Sequence, residues 1–130
     1  MKRFIIFMVM AFVLISTAFA GGVSEQYVRD EYGKAGGFPN RDAWLYEFNS
    51  IAKEVISNSN KILGGGDSMS DLYKMSFDNN CVKYKVLLDI GVELKYITDA
   101  VRKQQISKAE VERKKVAQYL ASQSSGLGLE

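Results

Sequence analysis

The 130-residue sequence has no histidine, a single cysteine and a single proline. Each shortage removes a kind of chemistry. Without histidine the chain cannot build a Ser-His-Asp or Cys-His nucleophile, an imidazole acid–base step or a histidine metal site. Cys81, alone, cannot close an intramolecular disulfide, a Cys-x-x-Cys redox pair or a thiolate zinc cage. It reads as a small buried apolar residue, and a homodimer bridged through Cys81 is the weaker alternative. Phosphate loops are missing as well. "GKAGG" and "GGGDS" share only glycine content with G-x-x-x-x-G-K-[ST], so both read as connecting segments. No cofactor and no metal is expected.

The chain begins with Lys2 and Arg3, an apolar run from Phe4 to Ile15, and small residues ending in Ala18-Phe19-Ala20. A basic start, an apolar run and an A-x-A end are the three parts of a secretory signal peptide, here expected to be cleaved after Ala20. An uncleaved anchor would sit at the lower length limit for a membrane span. The expected location is the periplasm, with membrane contact only through the signal peptide before cleavage. Removing Lys2 and Arg3 turns 17 basic and 15 acidic groups into an even balance. A neutral exported domain has no global field to attract nucleic acid, so none is expected as a partner.

Residues 21–121 are expected to form a single helical domain of four to five helices, all-α, with 122–130 a flexible C-terminal tail. Ser24 and Asn40 are in place as helix N-caps, separated by "GKAGGFPN". From Trp44, the apolar residues Phe48, Ile51, Val55 and Ile62 recur at helical spacing, with Leu45, Ala52 and Ile56 widening the stripe. "SNSN" at 57–60 should weaken the last turns, because Ser and Asn compete for backbone hydrogen bonds. A shorter helix follows, bounded by Asn79 and Asn80.

The stretch "VKYKVLLDIGVELKYI", 82–97, supports two readings. Its alternation fits a hairpin turning at Asp89-Ile90-Gly91, which would make the fold α+β. On a helix, Leu87, Ile90, Leu94, Ile97 and Val101 form one seam, with Lys85, Asp89 and Glu93 as a charged line facing solvent. The helix accounts for more residues and is preferred. Gly91 costs it about 1 kcal/mol relative to Ala and lets a neighbour approach closely. Ser107 and Glu110 have capping-box spacing, so the last helix is expected to start there and to run to about Leu120.

What remains is a disulfide-free domain rich in aromatic residues. Tyr46 and Tyr96 fall off the main seams, and tyrosine is favoured at interfaces, so both are candidate partner-binding residues. The cluster Arg113-Lys114-Lys115 with Lys108 reads as a solvated face diluted by Glu110 and Glu112. The expected function is binding of another protein in the periplasm or cell envelope, most specifically as an inhibitor or immunity protein against an envelope-active toxin or cell-wall hydrolase. A small structural or chaperone component of an envelope secretion, conjugation or pilus assembly is the alternative. A carboxylate-only hydrolase comes third, because glycoside hydrolysis needs two acids at suitable separation and no spacing singles out a pair. Intact-mass measurement of protein from the periplasmic fraction is expected to give an N-terminus at Gly21, and a membrane-bound chain retaining Met1 would contradict this reading.

Overall fold

The computed structural model describes residues 23–65 and 70–126. The expected signal peptide and the last four residues of the expected tail lie outside them. Among these residues four helices follow one another: α1 (Glu25–Lys34), α2 (Arg41–Leu63), α3 (Ser70–Glu93) and α4 (Asp99–Gly126). There is no strand among the described residues, so the chain is an all-α bundle and 82–97 does not form a hairpin.

Local chemistry sets the first two helices as expected. Ser24 Oγ accepts from the Tyr27 N–H at 3.0 Å, and Asn40 Oδ1 accepts from the Ala43 N–H at 2.8 Å. Helix α1 is closed by two glycines with positive φ, Gly36 at 100° and Gly37 at 69°. Gly37 N–H donates to the Tyr32 carbonyl at 2.9 Å and Gly36 N–H to the Gly33 carbonyl at 3.0 Å, the paired bonds of a Schellman stop.

Helices α2 and α3 form an antiparallel hairpin that holds most of the core. Trp44, Phe48, Ile51, Val55 and Ile62 of α2 are buried, against Phe77, Tyr84, Leu87 and Leu88 of α3. Pairing runs in opposite directions along the two helices. Trp44 Nε1 donates to the Leu87 carbonyl at 2.7 Å, the Phe48 and Tyr84 rings lie 4.9 Å apart, and Asn80 Nδ2 donates to Asn58 Oδ1 at 2.9 Å. That last bond explains two corrections. "SNSN" does not weaken α2 and Asn79-Asn80 does not end α3, because the amides of Asn58 and Asn80 satisfy each other across the interface instead of competing with the backbone. The expected short helix and residues 82–93 of the 82–97 segment are therefore one 24-residue helix.

The seam proposed for α3 holds only in part. Leu87 is fully buried and Ile90 packs on the core, but Leu94 is 45% exposed and Val101 is 37% exposed. Helix α3 ends before the seam does. Lys95 adopts φ 64°, its N–H donates to the Val92 carbonyl at 3.0 Å, and the Tyr96 N–H donates to the Gly91 carbonyl at 2.8 Å. This is again a Schellman stop, with a lysine where glycine is usual. It turns Leu94 outward and Tyr96 back onto Trp44, with ring centroids 6.4 Å apart.

Helix α4 starts earlier than expected. Thr98 is its N-cap, with Oγ1 accepting from the Val101 N–H at 3.2 Å. Ser107 lies mid-helix and its hydroxyl donates back to the Lys103 carbonyl at 3.1 Å, so the Ser107–Glu110 capping box does not form. The helix continues to Gly126, and residues 122–126, expected in the tail, are its last turns. Val116, half-buried Ile106 and Leu120 attach α4 to the α2–α3 pair.

Gly91 leaves room for the Trp44 ring against α3, since a Cβ there would lie 2.7 Å from Trp44 Cζ2. Trp44 is buried and hydrogen-bonded, so it cannot yield, and the clash outweighs the better helix propensity of alanine. In urea melts Gly91→Ala is expected to lose about 1–3 kcal/mol and Leu87→Ala about 2–5 kcal/mol. Leu94→Ala is expected to stay within about 1 kcal/mol of the parent.

Candidate functional site

Helix α2 buries one face and leaves the opposite one bare. Tyr46, Asn49, Lys53, Ile56 and Asn60 recur at spacings of 3 and 4, so they line one exposed strip away from Trp44, Phe48, Ile51 and Val55. Tyr46 is 78% exposed and Ile56 46% exposed. Beyond Tyr46, the strip residues Asn49, Lys53, Ile56 and Asn60, with Ala52, Ser57 and Lys61, line a shallow apolar depression whose described lining comes entirely from this one helix. A depression of that kind offers a docking face and does not enclose a small substrate. Lys61 closes one edge, its ammonium 5.2 Å from the centre of the Tyr73 ring.

The two tyrosines singled out by sequence have different surroundings. Tyr46 faces solvent, as its place off the α2 seam implied. Tyr96 is half-buried, packs on Trp44, and its hydroxyl donates to the Phe38 carbonyl at 2.8 Å. The structure therefore assigns Tyr96 to the corner that closes α3 onto the α1–α2 connection. Ile56 was placed by its apolar character on the buried stripe, yet it is exposed on the same strip as Tyr46. Its position a third of a turn from Val55 was the available signal.

The carboxylates are mostly engaged with cations. Glu93 receives both Arg29 nitrogens, at 3.2 and 2.6 Å, and Lys85 bridges Glu25 and Asp89 at 2.9 Å each. Arg102 spans Asp89 at 3.2 Å and Asp99 at 2.9 Å. Lys85 and Glu93 of the expected solvent-facing line do stay exposed, with side chains 45% and 57% accessible, and they also seat α1 through Glu25 and Arg29, while Asp89 is 18% accessible. The hydrogen bond to Glu93 raises the Arg29 pKa. Burial lowers that of Lys85, but its bonds to Glu25 and Asp89 outweigh burial and leave it raised. Hydrogen bonds from Arg102 and Lys103 lower that of Asp99. A glycosidase acid needs the opposite environment, a carboxyl pushed up by an apolar pocket.

In the basic cluster, Arg113 pairs with Glu110 at 2.7 Å and Lys115 lies 3.2 Å from Glu112. No group of three or more residues suited to hold a metal gathers among the described residues, and no helix among them is long and apolar enough to cross a membrane. Comparison with family models, with curated proteins and with solved structures finds no match to the chain.

Cys81 is half-buried against the core, and burial pushes its thiol up to about 12. Burial likewise raises Tyr84 to about 12, where its hydroxyl donates to the Gln105 carbonyl at 2.8 Å. Both groups stay neutral in the folded chain while their unfolded counterparts, with ordinary values of 9.0 and 10.0, would already ionise. Their contribution to stability is complete below pH 9.0 and is lost as pH rises toward 12. Thermal melts are expected to be flat to about pH 9 and to fall above it. At pH 8 (roughly), thiol labelling of the folded protein is expected to be about a hundredfold or more slower than in denaturant.

Proposed function

We propose that the protein acts by binding another protein in the periplasm, and that the outer face of α2 makes the contact. The observation that carries this reading is the strip itself: an exposed tyrosine and an exposed isoleucine on one rigid helix, with Asn49, Lys53, Ser57 and Asn60 as a polar rim. Aromatic and aliphatic anchors surrounded by polar residues are the usual anatomy of a binding face, and a helix held by a packed core presents them with little ordering cost. An inhibitor or immunity protein against an envelope-active toxin or cell-wall hydrolase is the function that such a face and an exported, histidine-free domain fit best. The engaged carboxylates weigh against hydrolysis as the activity.

Tagged mature protein, recovered from periplasm of the native organism, is expected to bring down one soluble enzyme in near-stoichiometric amount. Tyr46→Ala and Ile56→Ala are each expected to weaken that complex by more than about 1 kcal/mol, while thermal stability changes by no more than about 0.5 kcal/mol. Recovery of membrane-bound assembly machinery instead would favour a role as an assembly component. Wall-polymer hydrolysis by the purified chain, with no partner recovered, would refute binding as the function.

A further inference from the structure

The depression on α2 carries charge of one sign. Among its described lining only Lys53 and Lys61 are ionised, and no acid joins them. Both lysines are exposed and stand just over two turns apart, about 12 Å along the axis, with Ile56 and Ser57 between them. Their own helix offers no counter-ion, since every position three or four away from either lysine is Asn, Ser, Ile or Gly. Glu54, next to Lys53 in sequence, projects about 100° further round the helix. Asp42 lies in the first turn, beyond Tyr46.

Where helices meet, basic side chains are matched by acids: Arg29, Lys85 and Arg102 each hold a carboxylate within 3.2 Å. Lys53 and Lys61 make no ion pair among the described residues, and the Lys61 ammonium rests against the Tyr73 ring. An apolar recess framed by two uncompensated cations attracts and orients a negatively charged partner.

We propose that the partner presents an acidic segment to this depression: an apolar side chain seated against Ile56, with carboxylates to either side for Lys53 and Lys61. The inference rests on the reading of the α2 strip as the contact face and adds the chemistry of what it contacts. A second copy of the chain is the wrong occupant, because a twofold contact puts the same patch on both sides and would face lysines with lysines. The complex forms faster at low salt, since the attraction acts before contact and is screened by ions.

Two synthetic helical peptides are the probes, alike in a leucine seam and differing only in glutamate or lysine on either side of its central leucine. A helix is the suitable form, because spacings of 3 and 4 on the strip are those along which a second helix can lie. Each peptide is titrated into the isotope-labelled mature chain and followed by amide chemical shifts. The glutamate peptide is expected to move amides of residues 46–61, and to bind the parent about tenfold or more tighter than the Lys53→Glu/Lys61→Glu variant. The lysine peptide is expected to show the reverse preference. Both substituted side chains are exposed, so the variant should keep the parent's circular dichroism. Lys108 and Lys114 of α4, with exposed Val111 between them and Glu110 and Glu112 interleaved, are the internal control. Shifts there as large as those on α2 would reduce the attraction to unspecific charge and overturn the proposal. Equal binding of both peptides to α2 would also overturn it, while leaving the strip a contact face with no acidic preference. Absence of α2 shifts with either peptide would overturn it too, and the effects of Tyr46→Ala and Ile56→Ala on the recovered complex would still decide the contact face separately. A parent-chain dimer in sedimentation, lost on Tyr46→Ala, would give the strip to a second copy and overturn the acidic partner.

Discussion

The approach of Trp44 to Gly91 sets the geometry of the bundle. An indole buried at 2% exposure would leave its N–H without water, so it must find an acceptor, and the Leu87 carbonyl supplies one. The ring can reach that carbonyl because Gly91, one turn further along α3, has no side chain to obstruct it. Phe48 stacks on the indole with planes 7° apart, and Tyr84 leans on Phe48, so the aromatic column continues inward from this single contact. At the far end the Asn58–Asn80 bond fixes the same register a second time. A sliding α2 would break a buried hydrogen bond at both ends.

Two kinds of adhesion coexist around α3. Its inner side is held by area: Phe77, Leu87 and Leu88 are essentially inaccessible, and burial of each such side chain is worth about 1.5–3 kcal/mol. Its outer side carries one buried valine, Val86, and ion pairs that water reaches, where each pair is worth about 0–1 kcal/mol. The same 24-residue helix therefore carries a firm interface and a weak one on opposite faces. Asp89 is shared, since Lys85 and Arg102 both reach it, and it ties the position of α4 to that of the α1 seat.

The amphipathic pattern of α2 was legible apart from Ile56, because the apolar residues at spacings of three and four from Trp44 to Val55, and Ile62 beyond, are spent on one interface. So were the caps at Ser24 and Asn40, which act within a single turn. The misreadings share a cause: they concern residues whose partners are distant in the chain. Asn58 and Asn80 look like breakers until they are placed opposite each other. Lys85 and Glu93 are solvated as read, but their pairing with Glu25 and Arg29, some 60 positions away, was not visible. The end of α3 was hidden because Lys95 occupies a left-handed position that sequence assigns to glycine, and Ser107 imitated a cap that Thr98 supplies. Of the candidate site, Tyr46 was readable from its angle on the helix. Tyr96 was not, because its hydrogen bond to Phe38 crosses 58 positions.

Trp44 is the chain's only tryptophan, and it sits at the contact on which the hairpin depends. The protein thus carries a built-in optical probe of one event. Indole emission shifts to the blue when water is excluded and to the red when it enters, so its wavelength reports the seating of α2 on α3. Trp44 packs with Phe48 and Tyr96 and bonds to the Leu87 carbonyl, and none of these belongs to α1. An opening confined to α1 would therefore lower helical content with the indole contacts in place, whereas separation of the whole bundle would change both.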